Sequence, residues 1–277
     1  MIARRLLIAG PLAALLPSAA WAQPAADLWS RWTRHDAGAT TTVDHAAWTR
    51  FLGIYARPGA DRVVRLPYGA IAPADRAALA TYMSMLQAVP VSALSRAEQL
   101  AYWINLYNAL TVQVVVDRYP VKSIRDISLG GSLAATFAGG PWDAKLVRIE
   151  GEAVSLNDVE HRILRPIWRD PRIHYAVNCA SLGCPPLRSV AFTAANTGAL
   201  MDEAARAFVN GQHGVRRRGG DIFVSSIYKW FRSDFGTDDR AVLDHIARFA
   251  EPELAQALRE ARRIAGDYYD WALNDAT

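Results

Sequence analysis

Cysteine is nearly absent: the 277-residue chain has two, Cys179 and Cys184. That excludes a scaffold held by several disulfides and the four-cysteine form of structural zinc site. An uninterrupted apolar run of about 20 residues, as a membrane span needs, is also missing. The run from Leu6 to Leu16 is short and broken by Gly10 and Pro11. A large excess of one charge sign is missing too, with 31 basic against 27 acidic residues. So balanced a chain carries no footprint for nucleic acid or an anionic membrane. No G-x-S-x-G elbow occurs, which disfavours a serine hydrolase, and there is no internal repeat or low-complexity tract.

What is there begins with MIARRLLIAGPLAALLPSAAWAQPA. Two arginines, an apolar stretch and small residues at Ala20 and Ala22 read as an export signal over residues 1–22, cleaved after Ala22. The expected location is periplasmic or secreted, with no stable membrane insertion after cleavage. The full sequence is 51% hydrophobic, and the mature chain, with 29 basic against 27 acidic residues, can bury a sizeable core. Residues 23–75 read as an extension with a loose start and a first helix opened by Asp44. Residues 76–277 read as one domain.

Pro73 opens a helix that runs across that boundary to about Val89. Ser95 and Glu98 form a capping box for a long helix ending before Pro120, apolar nearly all round and therefore buried. That helix carries Asn105 and Asn108, three apart and on one face. A buried amide needs partners, so the pair either ties down a neighbouring loop or lines a binding site. KLVRIEGEAV (145–154) and the segment 215–225 around Gly219-Gly220 read as hairpins. Asn157 and Glu160 suggest a second capping box, on a helix limited to about two turns by Pro166. RIHYAVN (172–178) reads as a strand, and helices are expected over 193–210 and after Asp238 and Glu251. The pattern predicts an α+β fold: a single mixed domain with a buried central helix, β-hairpins and several packed helices.

The segments YWINLYNAL (102–110), SLNDVEHRILR (155–165), DPRIHYAVNCASLGCPPLR (170–188), SSIYKWFRSDF (225–235) and YYDWALN (268–274) resemble, in order, those of the domain of unknown function 547 family. The resemblance implies a mixed α/β domain and leaves the activity open.

HYAVNCASLGCPPL (174–187) holds both cysteines and allows several readings. In an exported protein two cysteines five apart with Gly183 between them form a disulfide. The competing reading makes Cys179 the nucleophile of a thiol-dependent hydrolase or acyl transferase. If residues 174–179 form a strand, His174 and Cys179 lie on opposite faces, about 16 Å apart along it. The expected base is then His161, oriented by Glu160, with backbone amides of residues 180–184 as oxyanion donors. His174 and Asn178 join Asn105 and Asn108 as candidate binding residues, with a small molecule or peptide as substrate. Neither a cofactor nor a resident metal is expected. The alternative class is a non-catalytic periplasmic binding or envelope protein with a structural disulfide.

Overall fold

The computed structural model describes residues 25–59, 61, 63–129 and 139–276. The expected export signal, 1–22, lies outside them. Helices α1 (Ala46–Tyr55), α2 (Pro73–Ala88) and α3 (Arg96–Arg118) make the first half. The second half holds the short helices α4 (Arg165–Trp168) and α5 (Ile173–Ala176), then α6 (Thr197–Val209), α7 (Ile227–Trp230), α8 (Arg232–Phe235), α9 (Asp239–Ala247) and α10 (Pro252–Glu260). The strands are short: β1 (Arg57–Pro58) pairs with β2 (Val64–Arg65), and β3 (Val147–Ile149) with β4 (Glu152–Val154). β5 (Val215–Arg218), β6 (Asp221–Ser225) and β7 (Gly266–Tyr268) form a sheet in that order, antiparallel then parallel. The fold is α+β. Among the described residues no helix is long and apolar enough to cross a membrane.

α3 is the axis of the main core. Tyr102, Trp103, Ile104, Leu106, Ala109, Val112 and Val115 are all at or near zero exposure. At roughly 1.5–3 kcal/mol for each large apolar side chain removed from water, packing on every side holds this helix. Its cap departs from the expected box in one half. Ser95 accepts from the Glu98 N–H, but the Glu98 carboxylate instead takes the N–H of Val43. The segment before α1 is not loose, because Trp32 is 1% exposed and packs edge-on against Trp103. A second core joins Phe208, Val224, Tyr228, Val242, Leu243 and Leu258.

Both hairpins form as their turn residues direct. Glu150 and Gly151 (φ 45° and 85°), and Gly219 and Gly220 (φ 55° and 95°), supply the left-handed backbone that two-residue hairpin turns need.

The stretch 155–168 differs from expectation. The capping box is Ser155 with Asp158: Ser155 Oγ accepts the Asp158 N–H, while the Asp158 carboxylate accepts from the Ser155 N–H and hydroxyl. Asn157 caps nothing. Pro166 does not end the helix, because the turns over Asp158–Leu164 widen to π geometry and continue into α4. A proline removes the N–H that would bond four or five residues back. The carbonyls so released belong to Arg162 and His161. They accept the N–H groups of Trp29 and Asp27, so the start of the described chain is stitched to this helix.

RIHYAVN is not a strand. The Asp170 side chain accepts the Arg172 N–H, and the Asp170 and Pro171 carbonyls take the N–H groups of Ile173 and His174, opening α5. Asp-Pro is a helix-start signal, and here it outweighs the β-branched and aromatic composition of residues 173–177.

Candidate active site around the cysteine loop

Cys179 and Cys184 are joined by a disulfide, with Cα atoms 6.2 Å apart. α3 fixes the loop that carries them. Asn108 donates to the Ala176 carbonyl and accepts the Asn178 N–H. Asn178 in turn donates to the Pro185 carbonyl and accepts the Ala180 N–H, holding Ala180 at φ 60°. Asn105 makes the same two-way bond to Phe192. Each asparagine of α3 thus pairs with backbone as a neighbouring strand would. Asn108→Ala would strand a buried N–H and a buried carbonyl. Its expected cost is about 2–4 kcal/mol, read as a lower urea midpoint at unchanged slope.

The C-terminal segment closes the loop from the other side. The N–H groups of Leu182 and Gly183 go to the carbonyls of Ala272 and Asp270, and the Asn274 N–H to that of Ala180. A Cβ on Gly183 would lie 2.8 Å from the Asp270 nitrogen, so only glycine admits this approach. The segment delivers Tyr269, whose hydroxyl is 3.1 Å from Cys179 Sγ, 3.2 Å from Cys184 Sγ and 2.8 Å from Ser181 Oγ. Oxidised sulfurs carry no proton, so the hydroxyls are the donors. Burial raises the Tyr269 pKa, which keeps it a donor. Beside it Trp230 and Trp271 form a half-buried aromatic wall, with ring centroids 4.6–5.6 Å apart.

Four of the five expected oxyanion amides are not free. Those of Ala180, Leu182, Gly183 and Cys184 all have protein acceptors, because the loop is a tightly paired turn. The donors nearest the sulfurs are the hydroxyls of Tyr269 and Ser181 and the Cys179 N–H, which points at Cys184 Sγ at 2.9 Å.

Behind Tyr269 lies a buried charged cluster. Glu160, released from capping by Asp158, adds its charge to burial in raising the pKa of both Tyr107 and Tyr269. Its Oε1 stands 3.7 Å from His174 Nδ1 and 4.0 Å from His161 Nδ1. His174 donates through Nε2 to Asp234 at 2.8 Å and stacks on Phe231. Arg165 grips Asp234 with Nε and Nη2, at 2.6 and 3.1 Å, and its Nη1 donates to His161 Nδ1 at 3.0 Å. An arginine can only donate, so His161 Nδ1 is the acceptor and its proton sits on Nε2. Burial first, with Arg165 and His174 adding to it against the pull of Glu160, lowers the His161 pKa to about 4. Burial opposes the ionised form of Asp234, but the bonds from His174 and Arg165 win and lower its pKa.

Glu160, His161 and His174 therefore meet in one cluster, and Cys179 and Cys184 in another, with Tyr269 and Tyr107 between them. Asn108 and Asn178 frame the loop; Asn105 fastens a different one. His174 keeps both ring nitrogens toward carboxylates, so helical geometry and those partners, rather than a strand's alternation, turn it from Cys179. Among the described residues no three of His, Cys, Asp and Glu are grouped to hold a metal ion. Tyr107, Arg165, Ser181, Asp234 and Tyr269 were not singled out from sequence. Each lies in a segment that carries the resemblance, and that was the available signal.

Residues 91–209 match the family model described as Protein of unknown function, DUF547. No curated protein and no solved structure matches the chain. Asp234 and Tyr269 come from beyond the matched residues, whereas α3, the π turns, the cysteine loop and α6 fall within them. Residues 91–209 of this chain are thus a domain of the DUF547 family.

Proposed function

We propose that the protein is an exported thiol-dependent hydrolase or acyl transferase, with Cys179 as nucleophile and its bond to Cys184 as the resting state. One observation carries the reading: the half-buried sulfur of Cys179 lies against two hydroxyl donors, Tyr269 and Ser181, with the Glu160 cluster behind them. In this reading the thiolate of reduced Cys179 attacks an ester, thioester or amide carbonyl, and the two hydroxyls donate to the oxygen that becomes negative. Glu160 is the proton acceptor, reached through the tyrosine hydroxyls. His161, whose acceptor nitrogen Arg165 occupies, serves as an N–H donor and not as the base. Export is supported by the pattern of residues 1–22 and by the disulfide itself.

The test is acylation of the reduced protein by an activated ester, followed by intact mass. Wild type and Cys184→Ser are expected to acquire one acyl group on Cys179 far faster than a free thiol does, and to release it to water or an amine. Cys179→Ser should acquire none. Acylation no faster than that of glutathione would sink the reading. It would leave the alternative, a binding or envelope protein with a structural disulfide, which the partly exposed wall of Trp230 and Trp271 favours.

A further inference from the structure

The donors around the two sulfurs are unequal. Cys184 Sγ receives the Cys179 N–H at 2.9 Å and stands 3.2 Å from the Tyr269 hydroxyl. Cys179 Sγ has no backbone donor among the described residues; it shares the Tyr269 hydroxyl and touches Ser181 Oγ at 3.4 Å. Cys184 is also the more deeply buried, at 8% exposure. Thiol–disulfide exchange proceeds by in-line attack of a thiolate on one sulfur while the other departs with the electron pair. It is faster when the departing thiolate is stabilised. The backbone N–H serves Cys184 alone, and with the phenol that both sulfurs share it forms such a cradle there; hydrogen bonds to an ionised acceptor are the strong ones.

The geometry points to an exchange-active disulfide: a small thiol attacks Cys179, and Cys184 leaves as a thiolate held by the Cys179 N–H and the Tyr269 hydroxyl. In the first step the incoming thiolate RS⁻ bonds to Cys179 Sγ, the Cys179–Cys184 bond breaks, and its electron pair stays on Cys184. In the second step another thiolate attacks the external sulfur of the mixed disulfide. That releases RSSR and leaves Cys179 as a thiolate. Two thiols are oxidised and the protein disulfide is reduced by two electrons. Tyr269 keeps its proton throughout, consistent with its raised pKa. This chemistry needs no acyl substrate, so it stands apart from the hydrolase reading.

The experiment follows thiols only. Oxidised wild-type protein is mixed with glutathione at pH 7 for short times, quenched with an alkylating reagent and digested with trypsin. Both cysteines then fall in the peptide Ile173–Arg188, and fragment ions between them place each label. Glutathione is expected on Cys179 with the alkyl group on Cys184. Tyr269→Phe should open about tenfold more slowly, the effect of losing one hydrogen bond to a developing anion. Glutathione found on Cys184, or shared equally, overturns the inference. So does a Tyr269→Phe protein that opens as fast as wild type, or a wild-type bond that opens only when urea unfolds the chain. The label positions come from unmutated protein, so they stand even if the variant misfolds.

Discussion

Taken from pH 7 to pH 4, the protein is expected to lose most of its stability, and the loss should begin near pH 6.5. His45, His161 and His245 are each at most 5% exposed, and burial lowers each pKa to about 4. Their surroundings suit a neutral ring. His45 accepts or donates only through Nδ1, to Tyr82, its Nε2 having no partner. His161 has Arg165 on Nδ1, and His245 meets Tyr175 through Nε2.

In the unfolded chain the same imidazoles titrate near 6.5. Between pH 6.5 and 4 the unfolded state therefore binds more protons than the folded state, so stability rises with pH through that window and falls as pH drops. Each full shift corresponds to about 3 kcal/mol, and three of them approach the roughly 5–15 kcal/mol that holds a domain folded. Asp234 acts lower on the scale. Its lowered pKa contributes stability above the ordinary carboxylate value near 3.8, lost only as pH falls below that. Urea midpoints at pH 7.5, 6.5, 5.5, 4.5 and 3.5 separate the two. A profile flat down to pH 4.5 that breaks only below 4 would reject the histidine account.

Replacing Arg165 by alanine is the single substitution with the largest expected cost, about 3–5 kcal/mol. Its side chain is 3% exposed and forks onto Asp234 while holding His161 and lying over the Phe231 ring. Removing it leaves a largely buried carboxylate with His174 and Ser233 as side-chain partners and leaves His161 Nδ1 unpaired. Uncompensated charges of this kind carry such penalties. For a chain of this size that amounts to a fall of roughly 10 °C in thermal midpoint. Arg165→Lys should recover little, since a lysine cannot supply the two-pronged bond and the third donor together. A loss under about 1 kcal/mol would mean that the cluster is wet.

Local signals reached far into this fold but stopped short of its site. Pro73, Ser95, the stop before Pro120 and the turn pairs at 150–151 and 219–220 act on their immediate neighbours, and the elements they announce are present. The expectations that failed were also local, but there two signals competed. Asp170-Pro171 overrode a strand-like composition, and Ser155 with Asp158 took the cap from Asn157 and Glu160. The site itself depends on separations no periodicity records. Tyr269 meets the sulfurs across 90 and 85 residues, and Arg165 meets Asp234 across 69. The spacing of Asn105 and Asn108 told which way they face. It could not tell that one would fasten Phe192 and the other the cysteine loop.

The carbonyls left open by Pro166 also bear on the order in which the chain assembles. Asp27 and Trp29 emerge early in synthesis, yet their hydrogen-bond acceptors lie more than 130 residues later in the sequence. Contacts of such high sequence separation form slowly, because a long loop must close before they return anything. The segment made early is therefore among the last to dock. A nascent chain has to wait for its site helix before its own beginning has anywhere to go.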